Sequence, residues 1–211
     1  MALKVERHRH PPLAAHSREA VLDAATDFMR GPGTYVLSRP PNVLSATFLT
    51  RLASSGNLNW AIRDDGPPGS TDLDGAAMLA VGTTGTAFVT SSGNMWRNGV
   101  AGSLAQVNSN GAWGWTKPLS VSGLVVALDS AGNAYVTAQD QGVVRYLPTG
   151  ATTWTTATTF NASDMAVNAQ GEVFFVGSFR TAFNVSPGPG TQMLNPPGST
   201  FVPFVVKWTQ R

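Results

Sequence analysis

The sequence predicts an all-β protein in which one unit of short antiparallel strands is repeated along the chain. The stretch 123–147, GLVVALDSAGNAYVTAQDQGVVRYL, displays the unit most clearly, because apolar runs alternate there with turns rich in Gly, Asn and Asp. Such alternation is typical of strands joined by tight hairpins. The same strand–turn–strand phrase recurs around Gly85, Gly132 and Gly171, at spacings of 47 and 39 residues. Spacings of this size are typical of a repeat architecture.

A glycine four residues before a tryptophan is the second marker of the repeat. It occurs at Gly56 and Trp60, at Gly111 and Trp115, and at Gly150 and Trp154. Each pair precedes the apolar run of the next hairpin. One unit therefore contains two strands around a glycine turn, a third strand, and a fourth strand that carries the tryptophan. Four strands in roughly 40 to 50 residues is the proportion of a β-propeller blade.

The third observation is a duplication between the two ends of the chain. The tetrapeptide GPGT at 31–34 recurs at 188–191, and 48–52 (FLTRL) parallels 204–208 (FVVKW). Both ends thus carry the same element of a blade, so simple ring closure would place one copy too many. We expect residues 26–211 to form a β-propeller-like array of about three to four antiparallel four-stranded blades that make an incomplete ring. An open array exposes sheet edges, and we expect it to self-associate or to belong to a longer polypeptide with further blades.

Residues 1–25 are predicted to be an irregular basic tail. Pro11 and Pro12 prevent a helix at its start. Ser17 could cap a short helix that runs to Met29, since apolar residues recur there on one helical face. The alternative is a strand at 27–28, because Asp27 and Phe28 match an element that recurs near the C-terminus.

Composition limits the classes of function. The 211 residues are 42% hydrophobic, enough for a sizeable core, and the chain has no cysteine. This excludes a disulfide framework, a thiolate zinc site and a cysteine nucleophile. Of 14 Lys and Arg and 12 Asp and Glu, residues 1–18 hold four and one, which leaves ten basic and eleven acidic side chains. We expect no nucleic-acid partner, because the body lacks a basic face. No apolar run is long enough for a membrane span, and the N-terminus lacks the apolar stretch of a signal peptide.

The repeats resemble bacterial β-propeller repeats of the SBBP and NHL-like kind. Residues 126–137 (VALDSAGNAYVT) are similar to the core of such repeats. Gly177-Ser178-Phe179, Asn184, 187–191 (PGPGT) and 204–207 (FVVK) are similar to the long variant of the SBBP blade, and Asp27-Phe28 with 31–34 looks like the same element. The resemblance covers roughly residues 26–211. It implies the propeller fold and an exported or surface-attached bacterial protein. Ser186 departs from the pattern, since an Asp is common at its position.

The polar residues with catalytic or metal-binding chemistry are interpreted as structural. The three histidines, His8, His10 and His16, all lie in the tail and have no acidic or cysteine partner nearby for a metal site. Four aspartates, Asp64, Asp65, Asp72 and Asp74, fall in a loop rich in Gly and Pro, where a solvated loop is favoured over calcium binding or acid–base chemistry. Asp129 opens a turn that invites a calcium interpretation too. Gly82 and Asn168 replace it in the other copies, so turn formation is the better explanation.

Tryptophans are the remaining candidates for a binding site. Trp60, Trp115 and Trp154 could form a platform for a sugar or a peptide, but their fixed place in each repeat predicts packing between neighbouring units. Trp96 and Trp113 fall outside that register and are the better candidates for ligand contact.

The sequence thus predicts no catalytic, cofactor-binding or metal-binding residue. The leading interpretation is a non-catalytic interaction or structural module that binds an unknown protein or carbohydrate. Propellers also support hydrolases and lyases, so an enzyme that uses the acidic loop residues is the first alternative. A fragment without independent activity is the second.

Overall fold

The computed structural model describes residues 26–27, 35–38, 47–64, 75–92, 102–119, 125–138, 142–156 and 162–209. Within these ranges the protein is all-β: seventeen strands, every pairing antiparallel, and no α-helix. The all-β prediction is therefore confirmed for the described part of the chain. The tail, residues 1–25, lies outside these ranges. The described residues include no helix that could cross a membrane.

The first unit consists of two small sheets. Strands β1 (Thr26–Asp27) and β2 (Val36–Leu37) pair with each other, as do β3 (Thr47–Leu52) and β4 (Leu58–Asp64). The helix that could have run to Met29 is thus wrong at Thr26 and Asp27. Pairing with β2 across the Gly-Pro-Gly segment prevails over the weak local helical pattern.

Units 2 and 3 are complete four-stranded sheets. Unit 2 contains β5 (Gly75–Val81), β6 (Ala87–Ser92), β7 (Gly102–Val107) and β8 (Trp113–Pro118), hydrogen-bonded in chain order. Unit 3 contains β9 (Val125–Leu128), β10 (Ala134–Ala138), β11 (Gly142–Tyr146) and β12 (Thr152–Thr155) in the same order. We call the four strand positions A to D. The predicted antiparallel four-stranded sheets are confirmed here.

Unit 4 supplies positions A, B and C. Its sheet has the order β13 (Ala162–Val167), β14 (Val173–Phe179) and β17 (Val202–Trp208). A hairpin of β15 (Phe183–Asn184) and β16 (Met193–Leu194) is inserted between B and C. Unit 1 is the counterpart: β3 and β4 hold positions C and D, and β1 and β2 hold the place of the inserted hairpin.

Six hairpin turns share one geometry. In the A–B turn of unit 3, the Asp129 backbone N–H donates to the Asn133 carbonyl (3.1 Å) and the Gly132 N–H donates to the Asp129 carbonyl (3.0 Å). A glycine with φ between 76° and 86° occupies the fourth position of every such turn. These are Gly85, Gly132 and Gly171 in A–B turns and Gly56, Gly111 and Gly150 in C–D turns. A left-handed residue here matches the twist of the flanking strands. Because strands alternate in direction, all six turns lie at the same end of their sheets.

The core lies between successive sheets. Phe88 and Leu104 of unit 2 pack with Val126 and Tyr146 of unit 3. A smaller cluster joins Leu49 of unit 1 to unit 2. Successive side chains on one strand point to opposite faces of a sheet, so an inner sheet can contact both the unit before it and the unit after it.

Unit 3 displays this two-sided packing most clearly. Tyr135, fully buried, belongs to the cluster that contains Phe175 and Trp208 of unit 4. Its chain neighbour Val136, also buried, belongs to the cluster shared with unit 2. A small sheet that cannot bury either face alone is thus covered on both.

Alanine substitution of the turn glycines should separate two physical effects. A Cβ on Gly111 would lie 2.9 Å from the Trp60 ring and a Cβ on Gly150 would lie 3.0 Å from the Trp115 ring, whereas Gly171 has nothing within 4 Å. All three substitutions carry the left-handed backbone penalty, about 1–2 kcal/mol. We expect Gly111→Ala and Gly150→Ala to lower the free energy of unfolding by roughly 1–3 kcal/mol more than Gly171→Ala, because only they overpack a ring. Urea denaturation measures the difference, and equal losses at the three sites would contradict this explanation.

Candidate interaction surfaces

The tryptophans in position D connect each unit to the next. Trp60, on β4 of unit 1, lies over Gly111 in the C–D turn of unit 2, and its Nε1 donates to the Ser109 carbonyl at 3.0 Å. Trp115, on β8 of unit 2, lies over Gly150 in the C–D turn of unit 3, and its Nε1 donates to the Pro148 carbonyl at 2.8 Å. Both side chains therefore pack between neighbouring units, as their spacing predicts.

The same tryptophans contact the end of the next C strand. Trp115 lies 5.8 Å, between ring centroids, from Tyr146, the last residue of β11. Trp154, on β12 of unit 3, lies 6.2 Å from Trp208, the last residue of β17, in an edge-to-face arrangement. Tyr146 and Trp208 are buried, and burial raises the pKa of the Tyr146 hydroxyl. Aromatic pairs in such tilted arrangements add to the stability gained from buried area.

A second side chain from each preceding unit reaches the same turns. Arg51, on β3, donates to the Ser109 carbonyl at 2.7 Å, and Gln106, on β7, donates to the Pro148 carbonyl at 2.9 Å. Arg51 and Gln106 each stand one residue before the end of their C strand. Two carbonyls that would otherwise face solvent at the unit boundary therefore receive two donors each.

Asp129 organises the A–B turn of unit 3. Its carboxylate accepts hydrogen bonds from the backbone N–H groups of Ala131 (3.0 Å) and Asn133 (2.9 Å) and from the Asn133 side chain (2.8 Å). The Tyr135 hydroxyl (3.3 Å) and Arg145 (3.4 Å) donate to the same carboxylate. Burial opposes ionisation, but the hydrogen bonds from Asn133 and Ala131 and the charge of Arg145 together lower the pKa of Asp129 below its ordinary value. Five donors occupy this carboxylate, which supports the structural interpretation of the turn.

Unit 4 builds the equivalent network with the acid and the amide exchanged. Asn168 stands at the Asp129 position, and its Oδ1 accepts from the N–H groups of Gln170 and Glu172. The carboxylate is supplied by Glu172, at the Asn133 position, which accepts from the Asn168 side chain (2.7 Å) and from Lys207 (3.0 Å). The hydrogen bonds from Lys207 and Asn168 lower the pKa of Glu172. Lys207 holds the strand position that Arg145 holds in unit 3, so each turn carries one acid paired with one cation on strand C.

The other sequence candidates do not form a catalytic site within the described residues. Asp64 is buried at the end of β4. The remaining loop aspartates (Asp65, Asp72 and Asp74), the histidines (His8, His10 and His16) and Trp96 lie outside the described residues. Trp113 is half-buried against Val89 and Ala105, which makes it a packing residue. The described ranges contain no group of three or more His, Asp or Glu side chains that could hold a metal ion.

A cleft of about 640 Å³ lies between strand D of unit 3 and the Pro-Gly loop of unit 4. Asn184 shapes this loop, because its Oδ1 accepts from the N–H groups of Ser186 (3.0 Å) and Gln192 (2.8 Å). Thr156 lines the other side, and its hydroxyl accepts from the Val143 N–H. The Asn184 side chain and the Thr156 hydroxyl at this cleft therefore already form hydrogen bonds within the fold.

The face of unit 4 that points away from unit 3, here called the trailing face, is exposed. Val205, on β17, is 73% exposed, and its cross-strand partner Val176 is 40% exposed. The equivalent cross-strand pairs are Leu104 with Thr90 in unit 2 and Val143 with Thr137 in unit 3. All four of those residues are at most 3% exposed, because the next unit covers them.

The face of unit 1 that points away from unit 2, here called the leading face, is exposed as well. Leu52, the last residue of β3, is 53% exposed. Its equivalents at the ends of the other C strands, Val107, Tyr146 and Trp208, are at most 7% exposed. Leu79, on β5, is 52% exposed because unit 1, in its described residues, has no strands at positions A and B.

Comparisons with known proteins leave the family open. No protein-family model and no curated protein matches the chain. Among solved structures, the chain is similar to a protein of unknown function from Bacteroides caccae, whose crystal structure was determined at 1.35 Å resolution. The TM-score is 0.41 and the identity is 14% over 75% of this chain. The chain spans about half, 52%, of that protein's length.

The Asp129 network should contribute stability that depends on pH. The native pKa lies below the ordinary aspartate value of 3.8, so the contribution is present above that pH and is lost as the pH falls through the native pKa. We expect Asp129→Asn to lower the free energy of unfolding at pH 7 by about 1–3 kcal/mol, because Arg145 and Tyr135 lose a charged acceptor. The gap between wild type and variant should narrow below about pH 4. Asp164→Asn, which removes an exposed carboxyl from β13, is the control in chemical denaturation at each pH. A gap that does not change with pH would contradict the role assigned to Asp129.

Trp115 should be a major contributor to stability. We expect Trp115→Ala to lower the free energy of unfolding by roughly 3 kcal/mol or more, because it removes the ring from between units 2 and 3. Trp115→Phe retains part of the packing and should cost about 1 kcal/mol through the lost hydrogen bond to the Pro148 carbonyl. Denaturant midpoints test both values. A change near zero for Trp115→Ala would make this residue an exposed platform.

Proposed function

We propose that this chain is a non-catalytic interaction or structural module built of about three to four β-propeller-type blades that form an incomplete ring. The observation that carries the proposal is the contact between a D-strand tryptophan and the C–D turn of the next unit. It occurs from unit 1 to unit 2 and from unit 2 to unit 3 between equivalent residues and in the same direction. Repeating one contact in one direction repeats one rotation between sheets, as in propellers and solenoids.

The packing of each sheet supports the propeller-type arrangement. Unit 3 is covered on one face by unit 2 and on the other by unit 4, through Val136 and Tyr135 respectively. Leu104 and Val143, on strand C of units 2 and 3, are fully buried under the next unit. Four-stranded sheets stacked face to face in chain order are the basic arrangement of propeller blades.

The placement of charge and of apolar surface supports binding over catalysis. Asp129 and Glu172 are each paired with a cation of their own unit and with neighbouring amides, so both stabilise hairpins. Apolar side chains are accessible on both end faces, with Val205 on the trailing face and Leu52 on the leading face. Exposed apolar patches of this kind mark sites of protein–protein contact. The resemblance to SBBP-type repeats adds that the module belongs to an exported or surface-attached bacterial protein.

Small-angle X-ray scattering at concentrations where the chain is monomeric tests the proposed architecture. We expect a profile that fits an arc of blades with one constant rotation between successive units. A profile that fits a straight stack of sheets, or sheets in free relative motion, would overturn the propeller assignment. The enzyme alternative is tested by incubating the chain with a panel of polysaccharides and measuring new reducing ends. Turnover that is lost in Asp64→Asn would replace the binding module with a hydrolase.

A further inference from the structure

We propose that the trailing face of one copy binds the leading face of a second copy, so that the chain assembles head to tail. This inference rests on the proposed function and names its partner: another copy of the same chain. The contact joins Val205 and Val176 of one copy to Leu52 of the other.

The series of contacts within the chain identifies these residues as partners. Leu104 of unit 2 shares an apolar cluster with Tyr146 of unit 3. Val143 of unit 3 shares the next cluster with Trp208 of unit 4. In each case a residue three positions before the end of strand C belongs to the same apolar cluster as the last residue of strand C in the following unit. The next pair in this series contains Val205 of unit 4. Its partner is the last residue of strand C in a following unit, and in unit 1 of a second copy that residue is Leu52.

Exposure agrees with this pairing at both ends. Val205 is 73% exposed, whereas its equivalents Leu104 and Val143 are at most 1% exposed. Leu52, the last residue of FLTRL, is 53% exposed, whereas Trp208, the last residue of the matching sequence FVVKW, is 4% exposed. Gly56 repeats the pattern, since it is half-buried while Gly111 and Gly150 are buried under tryptophans. At strand C, the two end faces therefore carry the residues equivalent to those that share apolar clusters between units of the chain.

The two halves differ, which determines the kind of assembly. An interface between different surfaces is heterologous, so it produces a ring if the rotation closes and an open series if it does not. Unit 1 offers only positions C and D among its described strands, so the contact is about half as deep as one between complete units. A small interface of this kind predicts weak association that depends on concentration.

Analytical ultracentrifugation of the full chain over a concentration series is the first test. The weight-average mass should rise with concentration from the 22.1 kDa of one chain. Val205→Asp blocks the trailing face and Leu52→Asp blocks the leading face, so each variant alone should remain monomeric. An equimolar mixture of the two variants should recover a pair, because each variant retains the face that the other lacks. The pair should grow no further. A self-complementary interface would not give this recovery.

Leu79→Asp is the matched control, since Leu79 is 52% exposed but lies outside the proposed contact. It should associate as the wild type does. Circular dichroism verifies the fold of each variant. If an aspartate unfolds the chain, Val205→Ser or Leu52→Ser takes its place, and each serine variant should weaken association. A wild-type mass independent of concentration, a mixture that stays monomeric, or loss of association in Leu79→Asp would each overturn the proposal.

Scattering from the monomeric Val205→Asp variant separates this inference from the proposed function. If this variant scatters as an arc of blades but the wild type does not associate, only the head-to-tail contact is overturned. If the wild type associates but the variant does not scatter as an arc, only the propeller architecture is overturned.

Discussion

The packing of a tryptophan ring on a glycine in the next sheet is the constraint on which the other features depend. Gly111 and Gly150 meet two requirements at once: a left-handed backbone that makes the hairpin turn, and the absence of a Cβ where an indole lies about 3 Å away. One residue therefore determines both the shape of its own unit and the distance to the preceding one. The indole N–H then fixes the orientation through a carbonyl of the same turn. Burial of the apolar clusters between sheets follows from that fixed approach.

The A–B turns of units 3 and 4 have a different role, because their polar networks hold the hairpin against strand C. Units 3 and 4 each place one carboxylate among amides and pair it with a cation, but they exchange the positions of acid and amide between Asp129 and Glu172. The exchange preserves the net charge of the network. The two networks therefore have the same charge and a similar role, although their residues differ at both positions. Hydrogen bonds to a charged acceptor are stronger than those between neutral groups, so both arrangements stabilise their hairpins.

Much of the fold could be predicted, since glycine spacing and apolar runs locate strands through local chemistry. The order of strands in units 2 and 3 and the tryptophan contacts between units followed from this pattern. The exchange at Asn168 and Glu172 was missed, because sequence spacing does not reveal that strand C places Lys207 beside the turn. The strand at Thr26 and Asp27 competed with a short helical pattern, and pairing with a distant segment decided it. The end faces could not be predicted from the sequence, because the exposure of Val205 depends on which strands a neighbouring unit provides.

The position of the glycine turns divides the protein into two rims with unequal tolerance of change. At one rim, six turns of identical length close the hairpins, and an added residue in the C–D turn of unit 2 or unit 3 would alter both a hairpin and a contact between units. At the opposite rim, the connection from B to C spans residues 139–141 in unit 3 and residues 180–201, with a hairpin of its own, in unit 4. Insertions of very different size are thus accommodated there without moving the core. A loop grafted onto that rim would therefore leave the contacts between units unchanged.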